Sequence, residues 1–298
     1  MVPYVYEGKV GELVPKLTTH VYFKTCINII RADAFAECSF LETINIPGTV
    51  RIIEDRAFRS CRNLVNVNMP KSVLLIGKEA FRDCLLLSCI IVPSSVQTLR
   101  EGTFSGCKSL ERIVLPANLE TIGADVFSSC RSLKAIDLPS SVNTIQRFAF
   151  GDCSALTAIT IPPSLIKLHD QVFRGCTSLA NIIIPSSVQY IGNSTFDGCS
   201  SLTTIDIPLS IQNIGSEAFG RCTSLRKAYV SKNLITNNVF PKSTKVIRTI
   251  WLEVSSCILL RQLLTNGRAT AKTDLFVIHA FLTSTDDDVF RNVLRFLA

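Results

Sequence analysis

Histidine, tryptophan and charged residues are scarce in this chain, and long apolar runs are missing. Only three histidines and one tryptophan occur among 298 residues, and charged residues make up 18%. The longest apolar candidate, residues 249–260, is shorter than the roughly 18 residues of a membrane helix and contains Glu253. Residues 1–16 have neither an apolar core nor a small-residue cleavage site, so we expect no secretory signal and a cytoplasmic protein.

Motifs that carry chemistry are missing as well. His20, His169 and His279 fall in distant parts of the chain, which leaves no evident base for a nucleophilic site. Neither G-x-x-x-x-G-K-[ST] nor G-x-G-x-x-G occurs, so no loop is predicted to bind phosphate. The twelve cysteines contain no C-x-x-C pair, whereas zinc needs four converging ligands. We therefore expect no catalysis, no cofactor and no metal.

The chain is instead dominated by a 23-residue repeat. One repeat reads C-x-x-L-x-x-I-x-I-P-x-x-V-x-x-I-x-x-x-x-F. Phenylalanine recurs nine times at a constant step of 23 residues, namely at Phe35, Phe58, Phe81, Phe104, Phe127, Phe150, Phe173, Phe196 and Phe219. A cysteine follows each phenylalanine after three residues, namely Cys38, Cys61, Cys84, Cys107, Cys130, Cys153, Cys176, Cys199 and Cys222.

The spacing within a repeat predicts a coil with two walls. Residues 113–115 alternate with the period of two that is typical of a strand, and Pro116 ends that strand. The V-x-x-I segment returns the chain along the opposite wall, and the segment around Phe127 fits a turn followed by a helical or 3₁₀ turn. Such a coil buries its apolar row only against its neighbours, so the predicted fold class is a repeat solenoid of short parallel strands and turns or 3₁₀ segments.

Residues 202–222, LTTIDIPLSIQNIGSEAFGRC, resemble the BspA-like subfamily of leucine-rich repeats, and the resemblance covers roughly residues 18–230. It implies a stacked, right-handed leucine-rich-repeat superhelix and an interaction or adhesion role, with no active site and no transferable ligand. Because bacterial relatives are often exposed on the cell surface, a surface or secreted adhesin is the alternative function. An enzyme or ligand-processing domain is a third, weaker alternative.

Three regions follow from the periodicity: a cap and degenerate repeat at 1–30, nine repeats at 31–230, and a helical, basic region at 231–298. Ala228 and Val230 keep the phase, but the next phenylalanine of the ladder does not arrive. Helices are predicted over 245–264, 275–282 and after the N-cap Thr285. These helices either cap the open end or form an ankyrin-like module, because residues 276–279 faintly resemble the ankyrin T-P-L-H motif without its threonine and proline.

The net charge of +7 is concentrated at the end of the chain. Residues 226–298 hold 11 Lys/Arg against 5 Asp/Glu, and Arg226, Lys227, Lys232, Lys242, Lys245 and Arg248 follow one another without an intervening acid. This stretch is a candidate contact for an acidic partner or a phosphate-rich surface. The repeat body is electrically balanced, so it gives no reason to expect nucleic acid.

The cysteine ladder is interpreted as a stack of buried thiols. Parallel Cβ vectors in neighbouring coils oppose disulfides, and free cysteine is readily buried. Cys26, Cys89 and Cys257 lie off the ladder, and Cys89 is predicted to face outward on its strand. Persistent free thiols are typical of a reducing compartment.

Specificity is expected on the outward positions of the first strand of each repeat, which we predict to serve as a protein–protein interaction surface. Charged and aromatic side chains dominate binding hot spots, and the alternative is a merely solvated sheet face. The predicted partner-binding residues are Arg112, Asp137, Asn181, Asp206, Lys227 and Tyr229. A second patch beside the Phe/Cys turn is balanced by nearby acids and is interpreted as a solvated rim, with Arg59, Arg62, Arg82, Lys108 and Arg131.

Overall fold

The structure is a computed structural model that describes residues 3–249. Within this range it contains twenty short β-strands and no helix. The strands are, in chain order, β1 (Pro3–Tyr6), β2 (His20–Phe23), β3 (Ile29–Ile30), β4 (Thr43–Asn45), β5 (Ile52–Ile53), β6 (Asn66–Asn68), β7 (Leu75–Ile76), β8 (Cys89–Ile91), β9 (Thr98–Leu99), β10 (Arg112–Val114), β11 (Thr121–Ile122), β12 (Ala135–Ile136), β13 (Thr144–Ile145), β14 (Ala158–Ile159), β15 (Lys167–Leu168), β16 (Tyr190–Ile191), β17 (Thr204–Asp206), β18 (Asn213–Ile214), β19 (Lys227–Ser231) and β20 (Lys245–Thr249).

The strands form two walls of a β-solenoid, and each recorded pairing is parallel. One wall, which we call the face wall, contains β4, β6, β8, β10, β12, β14, β17, β19 and β20. On it, β8 and β10 pair with Cys89 opposite Arg112 and Ile91 opposite Val114. On the opposite wall, β11 pairs with both β9 and β13. Between these repeats a step of 23 residues returns the chain to the same place in the next coil, so equivalent side chains stack on one another.

The face wall is not one continuous ladder. β4 pairs with β6, β8 with β10, β12 with β14, and β17 with β19, but no ladder joins β6 to β8 or β10 to β12. Residues 181–184 do not form a paired strand, although a strand is predicted there. The side chains still alternate, because Ile182 and Ile184 are buried while Ile183 is 83% exposed. Burial of the apolar row therefore maintains the alternation where the backbone ladder is interrupted.

The corner before each cysteine is a set of turns, and the predicted helical or 3₁₀ turn is wrong. Asp125 and Ser129 have positive φ values of 57° and 60°, which interrupts helical hydrogen bonding. The N–H groups of Asp125, Phe127 and Ser129 donate instead to carbonyl oxygens of the next repeat, at 3.1, 2.8 and 2.7 Å. The corner thus adds a third line of backbone hydrogen bonds between coils.

The phenylalanines form the centre of the core. All nine are fully buried, and consecutive rings stack at centroid distances between 4.9 and 6.0 Å. The stack is longer than the 23-residue step predicts. Tyr6 lies 5.0 Å from Phe35 at one end, and Phe240 lies 5.0 Å from Phe219 at the other. The prediction that no further phenylalanine joins the ladder after Phe219 is wrong, because the last coil is shorter and brings Phe240 into place 21 residues later.

The predicted helix over 245–264 is wrong at its start. Residues 245–249 form β20, which pairs in parallel with β19 so that Lys245 lies opposite Lys227 and Val246 opposite Ala228. The β-branched pair of Val246 and Ile247 suits a strand, and the free edge of β19 supplies its backbone partners. Residues 232–244 contain turns and loop but no helix. The rest of the predicted helical cap, including the ankyrin-like segment, lies outside the described residues.

Candidate interaction surface

The outward side chains of the face wall form two parallel rows, which we call the strand face. In register, the first row is Thr43, Asn66, Cys89, Arg112, Ala135, Ala158, Asn181, Thr204, Lys227 and Lys245. The second row is Asn45, Asn68, Ile91, Val114, Asp137, Thr160, Ile183, Asp206, Tyr229 and Ile247. Neighbouring members of a row belong to neighbouring coils, which are spaced by about 4.8 Å where strands pair.

All six predicted partner-binding residues lie on the strand face, but they do not form one cluster. Asp206 and Tyr229 lie opposite each other on β17 and β19, and Lys227 is on the same strand as Tyr229. Arg112 lies four coils from Asp206, roughly 19 Å at the coil spacing. Five of the six are exposed and Tyr229 is half-buried. Among the described residues, no side-chain hydrogen bond or ion pair is recorded for any of the six, so their polar groups are available to a partner.

An apolar trough on the same face is absent from the predicted site. It has a volume of about 750 Å³ and is lined by Ile46 and by residues 66–71, 89–94 and 114–116. A smaller trough of about 330 Å³ is lined by residues 158–161 and 181–183 and by Pro185. The only signal in the sequence is the run of apolar side chains Cys89, Ile91 and Val114 at outward positions. The predicted site consists of charged, polar and aromatic side chains and therefore does not include these three apolar ones.

The patch beside the Phe/Cys turn is only partly balanced by acids. Arg82 contacts Glu79 and lies 3.6 Å from Asp83, and Arg59 lies 3.9 Å from Glu79. No ion pair is recorded among the described residues for the other three cations, Arg62, Lys108 and Arg131.

Some basic side chains after residue 225 hold the fold together, whereas others form no ion pair within the described residues. The Arg248 guanidinium donates to the carbonyl oxygens of Lys232 and Leu234 at 3.0 and 2.9 Å, so it fastens the preceding loop. Lys227 and Lys245 lie opposite each other on neighbouring strands, and neither has an ion pair within the described part of the chain. Like charges directly opposite destabilise a sheet, so this pair favours an anionic contact.

No arrangement with catalytic or metal-binding geometry is seen within residues 3–249. No group of three or more His, Cys, Asp or Glu side chains is placed to hold a metal ion there. His20 and His169 lie in different coils, and His279 is outside the described residues. Burial raises the pKa of Cys153 to about 12 and that of Cys130 well above its ordinary value, which makes these thiols unreactive. No helix in this range is long and apolar enough to cross a membrane.

The repeat pattern and the in-register coils are matched by a family model. The BspA type Leucine rich repeat region matches in six copies, over residues 28–156 and 120–247. The chain belongs to this family. The BspA-type repeats therefore account for most of the described residues, and the phenylalanine and cysteine ladders are their core positions. No curated protein matches the chain.

Several solved leucine-rich-repeat structures are similar to this BspA-type chain. A leucine-rich cell surface protein from Faecalibacterium prausnitzii is 23% identical, with a TM-score of 0.48, covering 80% of this chain and 81% of that one. A leucine-rich repeat protein from Bacteroides ovatus is 22% identical, with a TM-score of 0.39 and coverage of 85% and 92%. The T. pallidum leucine-rich repeat protein is 27% identical, with a TM-score of 0.43 and coverage of 67% and 78%.

Proposed function

We propose that this BspA-type repeat protein is a non-catalytic interaction module that recognises a protein partner with its strand face. One observation carries the proposal. The strand face presents two rows of outward side chains on a stacked backbone, and the six predicted contact residues make no side-chain hydrogen bond or ion pair among the described residues. A surface of this kind is extended and pre-organised, so binding costs little ordering of the protein.

The contact region with the densest set of such groups is at the end of the described chain. Asp206, Lys227 and Tyr229 lie on two paired strands, and Lys245 extends the first row on β20. An acid, two lysines and an aromatic ring within neighbouring coils suit a partner with mixed charge. The two opposed lysines favour an acidic group on that partner.

The proposal is tested by quantitative affinity capture from lysate of the source cells, with wild-type and variant proteins as bait. Asp206→Lys is expected to lose specific partners that wild type retains, without a lower melting temperature, because this side chain makes no recorded contact in the fold. Glu120→Lys is the matched control, since it makes the same charge change at an exposed site on the opposite wall. Equal capture by wild type and Asp206→Lys contradicts the proposal.

We also propose that the protein works in the cytoplasm. Eleven described cysteines are free, and two of them, Cys26 and Cys89, are exposed, which fits a reducing compartment. Fractionation of the source cells and protease treatment of intact cells test this proposal. Recovery with the cell surface or the medium would favour the adhesin function instead.

A further inference from the structure

We propose that the trough over β6, β8 and β10 binds an extended acidic peptide that places an apolar side chain against Ile91 and Val114. The inference rests on the proposed function, because it names the partner chemistry for one part of the strand face. Its supporting features lie four or more coils away from Asp206 and Lys227, so the two proposals can fail separately.

The trough lies where the face wall is interrupted. β6 pairs with β4 and β8 pairs with β10, but β6 and β8 are not joined. After β4, the Ile46 N–H donates to the Asn68 carbonyl at 3.1 Å, and after β8 the Val92 N–H donates to the Val114 carbonyl at 2.9 Å. The corresponding N–H of Met69 has no recorded partner within the described residues. The interruption therefore leaves a backbone donor beside the trough.

The floor of the trough is apolar and partly open to solvent. Ile91 is 62% exposed and Val114 is 40% exposed, and the two lie opposite each other on β8 and β10. Val67 and Met69 are half-buried, whereas the equivalent inward side chains of most other repeats are buried. An apolar side chain from a partner would cover these four residues and remove their surface from water.

The borders of the trough carry positive charge. Lys71 lines the trough, and Arg112 lies opposite Cys89, which lines it as well. Neither cation forms an ion pair within the described part of the chain, and Glu111 makes none with Arg112 beside it. Some basic side chains elsewhere do pair between repeats, as Lys78 does with Glu101 at 3.2 Å. Two unpaired cations beside an apolar floor complement an apolar residue flanked by carboxylates.

An extended peptide suits this site better than a lipid chain does. Carboxylates on the peptide can contact Lys71 and Arg112 beside the apolar floor, whereas a hydrocarbon chain has no group that these cations can bind. An extended peptide also presents alternate side chains to opposite sides, so an apolar residue can face the trough while its neighbours remain in water.

The probe is a fluorescein-labelled peptide with a Leu-Phe-Leu centre and two aspartates on each side, followed by fluorescence anisotropy with the full chain. One control peptide carries lysines in place of the aspartates, and another carries serines in place of the apolar centre. Vesicles of phosphatidylglycerol serve as a third probe. The acidic peptide is expected to bind saturably, and the two control peptides are expected to bind about tenfold more weakly or not at all.

Matched variants locate the binding. Ile91→Ser is paired with Ile166→Ser, which alters an isoleucine of similar exposure, 57%, away from the trough. Lys71→Glu is paired with Lys167→Glu, an exposed lysine on the opposite wall. The two trough variants are expected to weaken peptide binding about tenfold, and the two controls are expected to leave it unchanged. Melting temperatures of all four proteins check that each is folded.

The proposal is overturned if the acidic peptide does not bind, if the control peptides bind equally well, or if the trough variants and their controls behave alike. Binding of the vesicles in place of the peptide also overturns it. The proposed strand-face function remains supported after any of these results, provided that Asp206→Lys still captures fewer partners than wild type does. Conversely, peptide binding at the trough together with an inert Asp206→Lys would separate the trough from the rest of the strand face.

Discussion

The thiol of Cys130 donates a hydrogen bond to the carbonyl oxygen of Phe104 in the preceding repeat, with 3.3 Å between sulfur and oxygen. The same carbonyl accepts the backbone N–H of Cys107 at 3.2 Å. From Cys61 to Cys222 each ladder thiol repeats this contact, at 3.0–3.3 Å. A small, buried side chain with a weak donor therefore both fills the core and joins adjacent turns.

These buried thiols predict that stability falls in alkaline solution. Burial raises the pKa of Cys153 to about 12, whereas an unfolded thiol titrates near about 8.5. The folded state therefore keeps its proton between these two values while the unfolded state loses its own. The stabilisation is complete below about pH 8.5 and declines as pH rises toward the folded-state pKa, by about 1.4 kcal/mol per pH unit for each buried thiol.

Urea unfolding under reducing conditions, from about pH 7 to about pH 10, measures this decline. Cys130→Ala removes one such thiol, so its slope above about pH 8.5 is expected to be shallower by about 1.4 kcal/mol per pH unit than that of wild type. Cys89→Ala is the control, because Cys89 is exposed. A flat profile in wild type would show that the ladder thiols ionise when folded.

Removal of one ring from the aromatic stack is expected to destabilise the solenoid strongly. Phe127 is fully buried, and its ring lies 6.0 Å from Phe104 and 5.3 Å from Phe150. Phe127→Ala should lower the free energy of unfolding by about 3–5 kcal/mol, because the neighbouring coils cannot close the cavity. Phe40→Ala is the control, since Phe40 is 50% exposed. Chemical denaturation measures both, and a loss below about 1 kcal/mol for Phe127→Ala contradicts the stacked core.

Asp197 contacts arginines of the preceding and following repeats, and we expect these contacts to stabilise the solenoid. Its side chain is only 7% exposed, and its carboxylate contacts the guanidinium of Arg221 and lies 3.4 Å from that of Arg174. Asp197→Ala should cost about 1–2 kcal/mol, because both arginines can return to water but their charged hydrogen bonds are lost. A double-mutant cycle with Arg221→Ala measures the coupling, and strict additivity argues against a direct contact. Asp206→Ala, at an exposed site, should change stability by no more than about 0.5 kcal/mol.

Replacement of Gly106, a glycine at the corner, is expected to destabilise its coil. Gly106 has a φ of +74°, and an added Cβ would overlap the carboxylate of Asp83 in the preceding repeat. Gly106→Ala should therefore cost about 1–2 kcal/mol through backbone strain and this overlap. Gly48→Ala, where nothing lies within 4 Å, should be close to neutral. Thermal unfolding compares the two, and Asp83→Gly should recover part of the loss in Gly106→Ala if the overlap matters.

The sequence by itself determined the repeat, its phase and the burial of its ladders. A constant 23-residue step places equivalent residues on one another in any stacked coil. Phe127 therefore stacks on other ladder phenylalanines, and Cys130 lies among other ladder cysteines. The same periodicity separated inward from outward side chains, which placed all six predicted partner-binding residues on the strand face. It also identified Cys89 as an exposed thiol, which the structure confirms.

Only the tertiary structure decided where the regular repeat is broken. Tyr6 and Phe240 extend the aromatic stack from positions outside the 23-residue step, because loop lengths at the two ends differ from those in the body. Residues 245–249 pair as a strand because β19 offers a free edge, which no local pattern reveals. The gap between β6 and β8 likewise depends on backbone hydrogen bonds between coils. The residue preferences of a single strand do not predict whether it pairs with its neighbour.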